Sequence, residues 1–242
     1  MVSTTPRTPV ERHVVEPTPL IVEDLMLLLL DDETGTMAGA GTMHYSLGGA
    51  LLVELALRDR VEIIEGTEGL GGPKVIATGP QDLEDPLLRT AHEQIAQRTR
   101  RAQSVLLEIG AGLYKPVINR LIERDLIRTE NKRVLGLFRT TRLPSNAPAH
   151  EADLRAKIRA TLEDDQPADP RTGALIALLS ASGTLPALRP PLPWSSKVAQ
   201  RAKHIEAGNW AASAVTLAVA TATAGAVAAA AVAATTAVAA TS

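Results

Sequence analysis

Residues 22–37, VEDLMLLLLDDETGTM, place the apolar run LMLLLL directly before three acidic residues, Asp31, Asp32 and Glu33. The run predicts a helix over about residues 23–30, buried on most of its circumference and too short to span a bilayer. Asp and Gly clusters are typical of turns, so a polar turn is expected to end this helix. The alternative is a cation site, because hard cations bind where several carboxylates meet, but no second carboxylate cluster lies nearby.

Composition bounds the architecture and excludes several kinds of site. The 242 residues can form one large domain with a full apolar core. The absence of cysteine excludes disulfides, thiolate zinc sites and cysteine nucleophiles. With two Trp, two Tyr and one Phe, the chain has too few aromatic residues for a base-stacking platform or a sugar-binding groove.

The net charge of −2 conceals a basic region. Residues 98–142 contain 11 Lys or Arg and only 4 acidic residues, whereas the rest of the chain is acidic. Such asymmetry indicates either a surface that meets anions or a face that is simply solvated.

The first half of the chain predicts a helix followed by a hairpin. Residues 44–60 carry leucines at four-residue spacing, which predicts a helix with Glu54 and Arg58 paired on its outer side. Two β-branched runs, residues 61–64 and 75–78, flank a glycine-rich connection and predict a β-hairpin.

Residues 115–142 combine an amphipathic helix with a basic hairpin. Pro116 suits the first position of this helix. Its apolar stripe lies opposite a polar face made of Asn119, Arg120, Glu123 and Arg124. Residues 126–127 are expected to pair with residues 134–138 across a polar turn at residues 130–133.

Helical spacing also occurs at residues 85–100, 151–164, 172–183 and 198–205. In the first of these helices His92 has polar neighbours and is expected to be solvated, and Gly183 is a candidate C-cap of the third. From Trp210 onward the chain is uncharged and rich in Ala, Val and Thr. It predicts a helix that packs on the domain and frays into a low-complexity tail, or a marginal membrane-associating helix.

Several ordered segments together resemble the Golgi phosphoprotein 3 family, in a bacterial-type version. They are EDLMLLLLDDETG, GGALLVELALRDR, DPLL, LIERDLIRTENKRVLGLFRTTRLP and DPRTGALIALLSASG. The similarity covers about residues 20–210. It divides the chain into a disordered leader without a signal peptide's apolar stretch (residues 1–19), a family-like helical domain (20–210) and a helical or disordered tail (211–242).

The resemblance implies a mainly α fold, a compact helical domain with small β-hairpins, one of them protruding and carrying basic and apolar residues. Eukaryotic relatives are peripheral membrane proteins that bind phosphatidylinositol 4-phosphate and act as adaptors for Golgi glycosyltransferases. Their lipid pocket uses a tryptophan before the second helix, an arginine near its start and two arginines on the helix before the hairpin. This sequence has Gly39, Gly48, Ala111 and Tyr114 at those places.

We therefore expect a cytoplasmic protein, peripherally associated with anionic phospholipid through its hairpin, with no cofactor and no metal ion. The expected head-group contacts are basic residues: Lys115, Arg120, Arg124, Lys132, Arg133, Arg139 and Arg142. The expected membrane-inserting residues are apolar: Val134, Leu135, Leu137 and Phe138. Apolar area and basic charge together favour anionic membranes.

The same sequence features bear on two other functional classes. An amphipathic helix followed by a basic hairpin is also typical of a winged helix, in which Arg120 and Arg124 would meet nucleic-acid phosphates. An enzyme is disfavoured because no nucleophile elbow or zinc-spaced His pair occurs, and the five histidines are scattered. No residue is therefore predicted to be catalytic, although distant segments can assemble a site.

Overall fold

The computed structural model describes residues 18–31, 35–64, 73–134 and 138–208 of the chain. Eight α-helices lie in these ranges: α1 Ile21–Leu29, α2 Met43–Leu57, α3 Pro86–Ala96, α4 Ala102–Gly110, α5 Tyr114–Glu123, α6 Pro148–Glu163, α7 Pro170–Ala181 and α8 Ser196–Ala207. The strands are β1 Val61–Ile64, β2 Lys74–Ala77, β3 Arg100–Arg101, β4 Glu130–Val134 and β5 Phe138–Arg142. The predicted mainly α fold with small hairpins is confirmed.

Helix α1 is buried, as its apolar sequence predicts, and lies at the centre of the core. All nine of its residues are buried, and it packs against α2, α5, α6 and α7. After the helix, Leu30 and Met37 form an antiparallel bridge, and the Asp31 amide donates to the Thr36 carbonyl. The chain therefore reverses direction after the helix as expected; Asp32 and Glu33 lie outside the described residues.

Helices α2 and α4 pack unusually closely through two glycines. A Cβ atom added to Gly48 would lie 2.4 Å from the Leu106 carbonyl oxygen, and one added to Gly110 would lie 1.8 Å from the His44 carbonyl oxygen. Both distances are far below a normal carbon–oxygen contact, and both neighbours are backbone atoms. Any side chain at either position would therefore push the two helices apart.

The predicted first hairpin is confirmed, since β1 and β2 pair antiparallel from Val61↔Ala77 to Ile64↔Lys74. A third, two-residue strand, β3, adds to the other side of β2, which the sequence did not predict. The expectation that His92 is solvated is wrong: the residue is buried on α3, and its Nε2 lies 3.0 Å from the Thr78 carbonyl oxygen.

The register predicted for the second hairpin is also wrong. Residues 130–133, expected to form the turn, belong to β4, which pairs with β5 from Glu130↔Arg142 to Val134↔Phe138. Ile127 does not enter this ladder: it is buried in the core and bridges Ser145. Because Ile127 is anchored in the core at the base of the hairpin, the charged residues after it continue as a strand.

The remaining helices predicted before residue 209 are confirmed with small shifts of their ends. The helix and tail predicted from Trp210 onward, and the leader up to residue 17, lie outside the described residues. Helix α5 begins at Tyr114, two residues before Pro116, and buries Val117, Ile118 and Leu121 as predicted. Helix α7 is followed by Gly183 at a φ of 70°, a conformation that favours glycine after a helix end. Within the described residues, no helix is both long and apolar enough to cross a membrane.

Candidate membrane-binding surface

The β4–β5 ladder places basic and apolar positions next to each other at its end. Arg133 pairs with Arg139, and the next pair, Val134 with Phe138, is the last of the ladder. Leu135 and Leu137, two of the four predicted membrane-inserting residues, lie between the ends of these strands in sequence and outside the described residues. The corrected register therefore concentrates the predicted membrane contacts within a few residues of the strand ends.

Three further predicted head-group residues lie away from the last two pairs of this ladder. Arg142 pairs with Glu130 at the opposite end of the ladder and is half-buried. Lys115 lies exposed in the first turn of α5. Lys132 lies within β4, where it pairs with Thr140.

Arg120 and Arg124 occupy a different environment from the solvated face that the helical pattern predicts. Arg120 Nε lies 2.9 Å from Glu23 Oε1, and Arg124 Nη1 lies 3.0 Å from Glu23 Oε2. Arg120 also contacts the Asp85 carboxylate, which caps α3. The side chains of Arg120 and Arg124 are only 20% and 14% exposed, so both cations are committed to carboxylates inside the domain.

These pairs belong to a larger ionic cluster around the start of α1, which we call the ionic core; it comprises Glu23, Asp24, Glu54, Arg58, Asp85, Arg120, Arg124, His150 and Arg171. Glu54 accepts a 2.8 Å hydrogen bond from the Ile21 amide and pairs with Arg58 and Arg171. The predicted Glu54–Arg58 pair is thus confirmed, but Glu54 is buried rather than on an outer face.

Asp24 connects the ionic core to α6 and α7. Its carboxylate lies 2.8 Å from His150 Nε2 and 3.3 Å from Arg171 Nη2. Burial raises the pKa of Asp24 above its ordinary value, and the contacts with His150 and Arg171 oppose that rise. For Arg120, burial acts to lower the pKa, but Glu23 and Asp85 outweigh it and raise the pKa.

Sequence reasoning missed this cluster, although one signal was present. Glu23 and Asp24 stand at the start of a helix that is otherwise apolar and predicted to be buried. Buried carboxylates require partners, so their position implied cations arriving from elsewhere in the chain. Which cations arrive depends on tertiary contacts, and Arg171 comes from 147 positions away along the chain.

Of the four positions at which relatives carry lipid-pocket residues, Tyr114 lines a separate cleft of about 530 Å³ between the α1–α2 connection and the α4–α5 connection, and Gly39 and Ala111 are next to its lining residues in sequence. This cleft is lined by Gly35, Thr36, Met37, Ala40, Met43, His44, Leu47, Gly110, Gly112 and Tyr114. No Lys or Arg occurs among these lining residues of the described chain, and Gly48 lies in the tight α2–α4 contact instead. The cleft therefore lacks the cations that would hold a phosphorylated head group.

No group of three or more His, Asp or Glu side chains suited to a metal ion occurs in the part of the chain that the structure describes.

A helical domain with a central buried helix and a two-stranded basic hairpin defines the structural class of this protein. The sequence family model for Golgi phosphoprotein 3 (GPP34) matches residues 21–222, which is most of the chain. The chain belongs to the Golgi phosphoprotein 3 family. No curated protein matches it.

Proposed function

We propose that this protein is a peripheral membrane protein that binds anionic phospholipid through the β4–β5 hairpin. The observation that carries the proposal is the register of the ladder, in which the Arg133–Arg139 pair directly precedes the apolar Val134–Phe138 pair. Family membership supports the same reading. In this proposal Val134, Leu135, Leu137 and Phe138 enter the acyl boundary while nearby cations meet head groups.

The basic and the apolar side chains of the hairpin contribute to membrane binding with different dependence on salt and lipid charge. Each Lys or Arg near an anionic surface contributes about 1 kcal/mol, and salt weakens this attraction. Burial of apolar side chains in the acyl boundary persists at high salt. A hairpin that combines both should therefore prefer anionic vesicles and retain part of its binding when salt is raised.

We propose Lys115, Lys132, Arg133, Arg139 and Arg142 as the head-group contacts. Arg120 and Arg124 were part of the set predicted from sequence, but their ion pairs with Glu23 commit them to the ionic core. The same pairs weaken the nucleic-acid alternative, which assigned these two arginines to phosphates. Nucleic-acid binding is retained as an outcome of the experiment below.

Phosphatidylinositol 4-phosphate is the head group that family membership suggests. The cleft at the family's pocket positions is lined without Lys or Arg, so we propose that lipid choice follows surface charge rather than one head group. We place the protein on the cytoplasmic side of a membrane without catalytic function, where an adaptor role would require a protein client.

Vesicle sedimentation tests this proposal with the full chain. Vesicles of phosphatidylcholine alone, of phosphatidylcholine with phosphatidylserine, and of phosphatidylcholine with phosphatidylinositol 4-phosphate at matched surface charge are compared at low and high salt. Equal pelleting with both anionic vesicles, partly retained at high salt, supports the proposal. Pelleting with none of them contradicts it, as does release of all bound protein by duplex DNA.

A further inference from the structure

A second basic surface lies far from the hairpin in sequence, in a cleft of about 520 Å³ beside β3 and the first two turns of α4. Its lining residues are Lys74, Arg98, Thr99, Arg100, Arg101, Ser104 and Glu108, and we call it the α4 cleft. It shares no residue with the hairpin, the ionic core or the cleft at the family's pocket positions. We propose that the α4 cleft binds a phosphate-bearing anion.

The first argument is an excess of positive charge. Four of the lining residues are cations and one is an acid, Glu108, which already pairs with Arg100. The other three cations, Lys74, Arg98 and Arg101, are exposed and form no ion pair within the described residues. Glu65 and Glu68 of the β1–β2 connection lie outside those residues. By contrast, Arg58, Arg120, Arg124 and Arg171 of the ionic core all have carboxylate partners.

The second argument is that the backbone holds these cations together. The β2–β3 register pairs Lys74 directly with Arg101, and like charges opposite each other in a sheet repel. Arg100, adjacent to them, has a side chain only 10% exposed and donates to the Gln94 carbonyl. A bound anion would offset the repulsion that this arrangement creates.

Arg100 has a buried donor without a partner among the described residues and lies near a second cation, Arg98. The Arg100 Nε atom is buried without a hydrogen-bond partner in the described structure. Burial lowers the pKa of the Arg100 guanidinium, and the nearby Arg98 charge lowers it further. The unpartnered Nε is a donor that a bound anion can satisfy, and the contribution of Arg98 reflects repulsion between two neighbouring guanidinium groups.

The chemistry of the lining favours phosphate over a carboxylate. A phosphate ester carries up to two negative charges and several acceptor oxygens, which suits converging arginines and a lysine. The Thr99 and Ser104 hydroxyls can donate to further oxygens. Helix α4 begins here without a side-chain cap, because its N-cap residue is Arg101, so its amide end adds positive potential. The cleft is also larger than a phosphate ion, which leaves room for the group that bears it.

Titration calorimetry of the full chain with inorganic phosphate, inositol 1,4-bisphosphate and inositol tests the proposal. The wild-type protein should bind the bisphosphate more tightly than phosphate and should not bind inositol, and added salt should weaken binding. The double variant Lys74→Glu with Arg101→Glu should lose affinity by about tenfold or more, because it reverses two charges that face the anion.

The matched control is Arg189→Glu with Lys197→Glu, which changes net charge equally at exposed positions outside the cleft; because Lys197 pairs with Asp165 at the surface, the fold of this control is checked by circular dichroism as well. Its affinity should stay within about twofold of the wild type. Arg98→Ala, a milder change at an exposed position, provides a second variant if the reversal unfolds the chain by circular dichroism. The proposal is overturned if the wild type binds neither anion, if the folded cleft variants bind normally, or if the control loses as much affinity as the reversal.

Vesicles distinguish the two sources of the phosphate. If a lipid head group supplies it, the cleft reversal should reduce pelleting with phosphatidylinositol 4-phosphate more than pelleting with phosphatidylserine. If a soluble ester supplies it, the reversal should weaken binding of the bisphosphate and leave both kinds of vesicle binding intact. The calorimetric result does not depend on the hairpin, so the α4 cleft proposal and the proposed membrane function can fail independently.

Discussion

Arg120 on α5 donates from Nε to the buried carboxylate of Glu23 on α1 at 2.9 Å, across 97 positions of sequence. The contact joins the helix that leads into the β4–β5 hairpin to the most buried helix of the domain. Glu23 also accepts from the Leu20 amide at 2.6 Å, so one carboxylate both caps α1 and anchors α5. The base of the proposed membrane-binding element is thereby held to the core by charge as well as by apolar packing.

Removing the Glu23 carboxylate should strongly destabilise the domain. Glu23→Ala leaves Arg120 and Arg124 largely buried without the carboxylate that they share. We expect the free energy of unfolding to fall by about 2–3 kcal/mol, which is less than for a fully buried pair because both arginines are partly exposed. Urea denaturation measures it. Glu62→Gln on β1, an exposed acid, is the control and should change stability by less than about 0.5 kcal/mol. Equal stability of both variants would show that the ionic core contributes little.

The raised pKa of Asp24 predicts an unusual sign of pH dependence. Because its folded pKa lies above its unfolded pKa, the folded state holds this proton more tightly. The stability that Asp24 contributes relative to Asp24→Asn is therefore fullest below the unfolded pKa and is lost as pH rises through the folded pKa. Urea denaturation of both proteins at several pH values from about 3.5 to 7 tests this sign.

Asp165 provides the matched control of opposite sign. Its hydrogen bond and charge interaction with Lys197 lower its pKa, so its contribution relative to Asp165→Asn should be present above the unfolded pKa and lost as pH falls. Asp165 has a φ of 58°, a conformation that Asn also tolerates, so the substitution should not strain the backbone. If the stability difference between the wild type and Asp24→Asn changed with pH in the same direction as that between the wild type and Asp165→Asn, the raised pKa of Asp24 would be contradicted.

The glycines between α2 and α4 should not tolerate a methyl group. Gly110→Ala brings a Cβ into the His44 carbonyl, and we expect a loss of about 2 kcal/mol or more because two backbones must separate. Gly173→Ala in α7 is the control, because its added Cβ meets only the Ala168 Cβ at 3.6 Å. That substitution should be neutral or stabilise by up to about 1 kcal/mol. Thermal denaturation of both variants distinguishes these outcomes.

Charge at the hairpin tip should abolish membrane binding without unfolding the domain. Leu137→Asp with Phe138→Asp replaces apolar contacts by carboxylates that an anionic surface repels, so we expect at least about a tenfold loss of vesicle binding. Leu57→Asp with Ile122→Asp makes the same change at exposed positions elsewhere and should leave binding within about twofold. If circular dichroism shows that the hairpin variant unfolds, these side chains belong to the core and the proposed mechanism is wrong.

Two of the wrong predictions, the exposure of His92 and the register of the second hairpin, have related physical causes. His92 was assigned to solvent because its sequence neighbours are polar, yet α3 packs on β2 and turns that position inward, where the Thr78 carbonyl contacts the ring. The hairpin register was misassigned because residues 126–127 look like a strand partner. Burial of Ile127 in the core instead displaces the ladder toward the charged residues. Local patterns do not specify which neighbour an element meets.

The sequence by itself determined the mainly α class, the burial of α1, the first hairpin and family membership, because these depend on local periodicity and on ordered motifs. Only the tertiary structure decided that Arg120, Arg124 and Arg171 serve buried carboxylates whereas Lys74, Arg98 and Arg101 remain without an ion pair in the described chain. The physical reason is that an arginine's role depends on whether folding brings a carboxylate within a few ångströms. That distance is set by contacts between segments 97 to 147 positions apart.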